Sequence, residues 1–111
     1  MTYVFDIDGT ICTNTNGNYE KAQPIQDRIN IVNKLYEEGH YIIFFTARGM
    51  GSTNNNQILA INNYYSFTET QLKSWNLKFH KLVLGKPSAD LYIDDKGIND
   101  EEFFSTTRNP L

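Results

Sequence analysis

Tyr3-Val4-Phe5-Asp6-Ile7-Asp8-Gly9-Thr10 decides how this chain is read. An apolar run suited to a buried strand stops at two carboxylates spaced by one residue, and a glycine and a threonine follow at once. In an open α/β sheet, ligands bind just beyond the carboxyl ends of the strands. Two carboxylates this close repel unless a cation or a proton offsets the repulsion. The stretch therefore points to a strand end that holds metal and performs carboxylate chemistry.

Further strands are legible downstream. Tyr41-Ile42-Ile43-Phe44-Phe45 is uninterrupted and β-rich, as expected of a strand buried on both faces. Leu82-Val83-Leu84 is shorter and runs into Gly85-Lys86-Pro87. Leu91-Tyr92-Ile93 reads as a fourth strand ending at Asp94-Asp95. Between the first two, residues 25–38 read as a helix. Ile25, Ile29, Val32, Leu35 and Tyr36 fall at helical spacing, with Pro24 at the start and Gly39 at the stop.

Ser66-Phe67-Thr68-Glu69 has the form of a capping box, which predicts a second helix opening at Ser66. Leu72 and Trp75 line its buried face. The polar, asparagine-rich segment 49–65 has room for a short helix over 57–62. A last short helix is expected over 100–104, with Phe103 and Phe104 covering the sheet and the final residues loose. Residues 11–19 read as a β-hairpin flap turning at Asn16-Gly17 and leaning over the first strand's end. Strands alternating with helices imply βαβ units, right-handed crossovers and a mostly parallel sheet.

Composition narrows the classes of function. The 111 residues suffice for one domain, spanning 1–111, with a single core, and 40% hydrophobic content fits a folded chain. A net charge of -3 supplies no basic field for a nucleic acid backbone, so no nucleic acid partner is expected. The lone cysteine, Cys12, excludes an internal disulfide and a cysteine-rich zinc site. The N-terminus enters a strand with no basic region before it, so no signal peptide is read. No apolar run approaches the roughly 20 residues that span a bilayer. The expectation is a cytoplasmic protein with no membrane partner.

Each of the four strands ends in residues suited to phosphate chemistry: Asp6 and Asp8, then Thr46-Ala47-Arg48, then Lys86, then Asp94-Asp95. In a parallel sheet these ends share one edge. The pattern resembles the haloacid dehalogenase (HAD) superfamily of phosphohydrolases. Its four motifs match Asp6-Ile7-Asp8-Gly9-Thr10, Thr46, Lys86 and Asp94-Asp95, and the resemblance covers essentially the whole chain. The Thr-Ala-Arg, Gly-Lys-Pro and Ile-Asp-Asp stretches look more narrowly like small bacterial HAD phosphatases of capsule or lipopolysaccharide synthesis. The fold this implies is a Rossmann-like three-layer α/β sandwich with the hairpin flap and, given the short spacings, no cap domain.

The resemblance also implies roles. Asp6 is the nucleophile, since an ionised carboxylate needs no base to attack phosphorus. Asp8 is the general acid and then the base. Mg²⁺ is the cofactor, ligated by Asp6, by the backbone carbonyl of Asp8 and by Asp95, with Asp94 supporting through water. Thr46 and the Ala47 amide bind the phosphoryl group, as do the Gly9 and Thr10 segment and Lys86, whose ammonium stabilises the transition state. Arg48 either clamps an anion or pairs with a surface carboxylate. The substrate implied is a small phosphorylated metabolite. Alternatives are a phosphatase for a nucleic acid end or phosphoprotein, and a non-catalytic phosphate-binding module. Oligomeric state stays open, a partner subunit being able to act as a surrogate lid.

Overall fold

Three parallel strands carry the structure: β1 (Thr2–Phe5), β2 (Tyr41–Thr46) and β3 (Lys81–Leu84) lie side by side in that order. The structure is a computed structural model that describes residues 1–107. Register is set by Phe5 opposite Phe44 and by Thr46 opposite Leu84, so all three strands end on one edge. Helix α1 (Gln26–Glu37) connects β1 to β2, α2 (Gln57–Ser74) connects β2 to β3, and α3 (Asp100–Thr107) follows.

Both crossovers step across the sheet in the same direction, so right-handed connections place α1 and α2 over one face. The core agrees. Phe5, Ile42, Phe44, Leu82 and Leu84 pack with Ile29, Val32 and Leu35 of α1, Leu72 of α2 and Phe104 of α3. Each side chain buried in this way contributes ~1.5–3 kcal/mol, so one face of the sheet carries most of the apolar stabilisation. Alternation turns Val4, Ile43, Phe45 and Val83 to the opposite face. None of them belongs to the core, and Val4 is 59% exposed. The described residues thus build two layers where three were expected, and β2 is buried on one face only.

Other expectations also differ. Leu91-Tyr92-Ile93 forms no strand, and all three residues are exposed. A three-residue run holds a strand only where a neighbour supplies its hydrogen bonds, and among the described residues no strand pairs with it. The flap is not a hairpin. Asn16 and Gly17 do make the turn, both at positive φ. Its flanks do not pair, because Thr13 donates its amide to Gln23 and Cys12 bridges to Pro24, leading into a short 3-10 helix at Tyr19–Lys21. Ser66 lies inside α2, which starts a full two turns earlier, where the Asn56 side chain caps it by accepting from the Leu59 amide at 3.1 Å. Helix α1 matches its expected span closely, and α3 runs longer than expected. The expectation for the chain's last residues lies outside the described ones.

Candidate active site

β1 delivers Asp6 to the shared edge, β2 ends on Thr46, and Lys86 lies just past β3. The Lys86 amide donates to the Thr46 carbonyl at 3.1 Å, which folds the post-β3 turn back over β2. Its ammonium Nζ then lies 3.7 Å from Asp6 Oδ1 and 4.4 Å from the centre of the Tyr92 ring. Three residues from three strand ends therefore meet, as expected. Thr46 is buried, and its Oγ1 accepts the Arg48 amide at 3.1 Å, which leaves the hydroxyl hydrogen to point elsewhere.

Burial pushes the Asp6 carboxyl above the ordinary carboxylate value. The Lys86 charge opposes that push, the Ile7 amide and Thr10 hydroxyl oppose it less, and the Asp8 charge adds to it. Thr10 Oγ1 donates to Asp6 Oδ2 at 3.4 Å. Desolvation thus favours the neutral acid, while the lysine keeps an anion tenable.

Asp8 sits in a different environment. Arg48 Nε and Nη2 donate to Asp8 Oδ2 and Oδ1 at 2.9 and 3.0 Å, a two-pronged pair. Arg48 is only 1% exposed. Nη1 donates to Thr68 Oγ1 at 3.4 Å, and the guanidinium carbon stacks 4.7 Å from the Tyr19 ring centre. Tyr19 is fixed in turn, its hydroxyl accepting the Gly49 amide at 3.0 Å. So Arg48 neither clamps an open anion nor pairs with a surface acid. It is a buried strut for Asp8. The Cys12 thiol also leans on Asp8 Oδ1 at 3.6 Å, and burial pushes that thiol up to about 12.

The other phosphate-binding assignments divide. The Gly9 amide donates to Cys12 O at 2.9 Å and the Thr10 amide to Ile7 O at 3.0 Å, so neither is free for an anion. Both amides close the turn after β1, and only the Thr10 hydroxyl reaches the site. Ala47 lines a cleft of about 340 Å³ with Tyr19, Ser52, Tyr64 and Ser88 among its walls. A larger cleft of about 470 Å³ lies beside Phe79 and His80, at the opposite end of β3 from Lys86 and far from these carboxylates.

Asp94 and Asp95 do not reach the site. Asp94 Oδ1 accepts the amides of Lys96 at 2.7 Å and Gly97 at 2.6 Å, and these bonds hold its carboxyl below the usual range. Asp95 is exposed and pairs with Lys96 at 3.2 Å. Among the described residues no three His, Cys, Asp or Glu side chains come together to hold a metal. Magnesium takes about six oxygens in near-octahedral order, of which several are usually waters and only one or two are carboxylates. Among the described residues, Asp6 is the carboxylate at this edge that no guanidinium holds, and it is the one that would hold such an ion.

The chain is similar to a solved structure from Vibrio cholerae. That structure, the crystal structure of an MCSG target, is 27% identical, with 94% of this chain and 87% of that chain covered and a TM-score of 0.82. No family model and no curated protein matches the sequence. The agreement supports the α/β architecture. Among the described residues no helix is long and apolar enough to cross a membrane.

Sequence reasoning missed the residues that brace the site. Thr68 and Tyr19 hold Arg48. Asn55, at positive φ, accepts the Ser88 amide at 2.9 Å through Oδ1, and Gln57 Nε2 donates to the Leu84 carbonyl at 3.1 Å. The run Asn54-Asn55-Asn56 was the available signal, since asparagine tolerates left-handed backbone and caps helices.

Proposed function

We propose that the chain is a HAD-type phosphomonoester hydrolase, of the capless kind, that acts on a small phosphorylated metabolite such as a sugar, polyol or amino-alcohol phosphate. A place in bacterial surface-polysaccharide synthesis follows from the narrower resemblance. The observation that carries the reading is Asp6, a mostly buried carboxylate at the end of β1, facing the Lys86 ammonium at 3.7 Å, with the Lys86 amide bonded to the Thr46 carbonyl. In this reading the three residues act as nucleophile, charge stabiliser and hydroxyl donor.

In this reading an Asp6 oxygen attacks phosphorus and a phosphorus–oxygen bond forms. The ester bond breaks with both electrons going to the leaving alcohol oxygen, which takes up a proton. Water then cleaves the aspartyl-phosphate and restores Asp6. Lys86 stabilises the negative charge on the phosphoryl oxygens, an effect worth ~3 kcal/mol or more for one preorganised donor. Asp8 supplies and then receives the proton. Both of its oxygens are engaged by Arg48, so its side chain has to turn out of that fork when a substrate enters. Dependence on Mg²⁺ belongs to this reading, with Asp6 as the carboxylate that would hold the ion and offset the charge of the phosphoryl group.

The test is release of inorganic phosphate from a panel of sugar, polyol and amino-alcohol phosphates, with phosphorylated oligonucleotides and phosphopeptides as the competing classes. Loss of ~10²-fold or more is expected for Lys86→Ala. Turnover that survives Asp6→Asn excludes the mechanism.

A further inference from the structure

We infer that the cleft beside Ala47 seats the alcohol half of the substrate, and that this half is an uncharged sugar, not an amino alcohol or a sugar acid. The inference rests on the phosphohydrolase reading for the phosphoryl end and on the walls of the cleft for the sugar.

Three ties place the cleft next to the strand-end edge. Ala47 follows Thr46 directly, and Ser88 comes two residues after Lys86. Tyr19 stacks on the Arg48 guanidinium, and Arg48 holds Asp8. This cleft therefore adjoins the edge that holds Asp6 and Lys86, whereas the larger one lies at the other end of β3.

Its walls are polar and uncharged. Asn16, Tyr19, Ser52, Tyr64 and Ser88 supply amide and hydroxyl groups, and the rest of the lining is glycine and Ala47. The side chain of Asn16 and the hydroxyls of Tyr64 and Ser88 bond to no described residue, so they are available to a ligand. The Tyr19 hydroxyl accepts the Gly49 amide and keeps its own hydrogen to donate. Small-molecule sites combine aromatic area with a few placed polar groups in roughly 300–1,000 Å³. A volume of about 340 Å³ stands at the lower end of that range, room for one sugar ring and not for a chain of them.

Charge then selects among esters. An ammonium or a carboxylate leaves water at a cost that an opposite charge has to offset. No wall residue carries one. The larger cleft is the contrast, with Glu37, Glu69, Lys73 and Lys78 around it. Tyrosine rings attract cations, but the Tyr19 ring already holds the Arg48 guanidinium at 4.7 Å. A sugar needs no counter-charge. Its hydroxyls both donate and accept, and its C–H faces suit the two tyrosines, whose rings meet edge to face with centres 5.1 Å apart.

The walls are also held in place without a ligand. Gly49 is fixed on both sides, its amide by Tyr19 and its carbonyl by the Thr53 hydroxyl at 2.6 Å. The Ser88 amide is bound by Asn55, and a Cβ on Gly51 would lie 3.8 Å from Ser88 Oγ, so the two loops face each other at contact distance. Ordered walls keep the ordering cost of binding low.

Binding tests this apart from turnover. Asp6→Asn, which lacks the nucleophile, is titrated with glucose phosphate, phosphoethanolamine and phosphoglycerate while assigned amide resonances are followed. Two charged esters of opposite sign keep overall charge from deciding the comparison. Glucose phosphate is expected to bind at least ~10-fold more tightly than either and to shift the amides of Ser52 and Ser88. Equal or tighter binding of a charged ester, or sugar binding that leaves both amides unmoved, overturns the inference. Ser52→Asp supplies the missing counter-charge at the exposed rim and should narrow the preference for glucose phosphate over phosphoethanolamine about fivefold. A ratio unchanged in that variant overturns charge as the selector. Sugar binding of the expected kind, with no ester hydrolysed by the wild-type chain, supports the cleft and overturns the phosphohydrolase reading instead.

Discussion

Arg48 holds both carboxylate oxygens of Asp8, at 2.9 and 3.0 Å, while its own side chain is fully buried. A buried guanidinium is costly unless paired, and removing one partner strands the other. Arg48→Ala is therefore expected to destabilise the fold by about 3 kcal/mol. Arg48→Lys should recover only part of that, because an ammonium cannot reproduce the fork or the stacking on Tyr19. Urea midpoints of the three proteins check this, and near-equal stability of Arg48→Lys and wild type would contradict it.

Asp6 yields a pH signature. Its folded-state carboxyl titrates above the ordinary value, chiefly through burial. The native state thus binds the proton more tightly than the unfolded chain. Stability from this group is fully present below the ordinary carboxylate value and is lost as pH rises through the raised one. Asp6→Asn removes the loss. The variant should melt above wild type at neutral pH, and its advantage should shrink on acidification. An Asp6→Asn protein less stable than wild type at pH 7 would show that Lys86 outweighs desolvation.

Gly49 has φ of 78°, and a Cβ there would lie 2.5 Å from Tyr64 Cδ2. Gly49→Ala is expected to cost at least ~1–2 kcal/mol from the left-handed backbone alone, before the clash is counted. The Tyr64→Ala background should relieve the clash with that ring and leave the backbone strain and the 3.2 Å approach to Ala60 Cα, and a double-mutant cycle isolates the relieved share.

Cys12 is fully buried and its thiol is pushed up to about 12. Thiolate is the reactive form. Alkylation of Cys12 at pH 8 should therefore follow opening of the fold, so that its rate rises with urea in step with unfolding. Fast labelling of the native protein would place Cys12 outside the core.

Local patterns were legible where packing and pattern agree. β1, β2, β3 and α1 could be read because continuous apolar runs and 3.6-residue spacing each had one structural solution. The meeting of Asp6, Thr46 and Lys86 followed from parallel strands sharing an edge. The start of α2 was obscured because Ser66 and Glu69 imitate a cap on the outer side of a helix already under way. Leu91-Tyr92-Ile93 has the residues of a strand, but its sequence cannot say which backbone will pair with it. Arg48 was ambiguous because a basic residue after a strand is compatible with any nearby acid, and only tertiary packing picks Asp8.

The asparagine-rich segment before α2 is tied to the strand-end edge that holds Asp6 and Lys86 through Asn55 and Ser88, and through Gln57 and Leu84. Those two bonds clamp the turn that carries Lys86. On the phosphohydrolase reading, a library that randomises residues 50–57 to change substrate choice would consequently disturb the lysine as well, so variants should show correlated shifts in KM and kcat. Divergence of specificity would then be constrained at the loop that looks freest to vary.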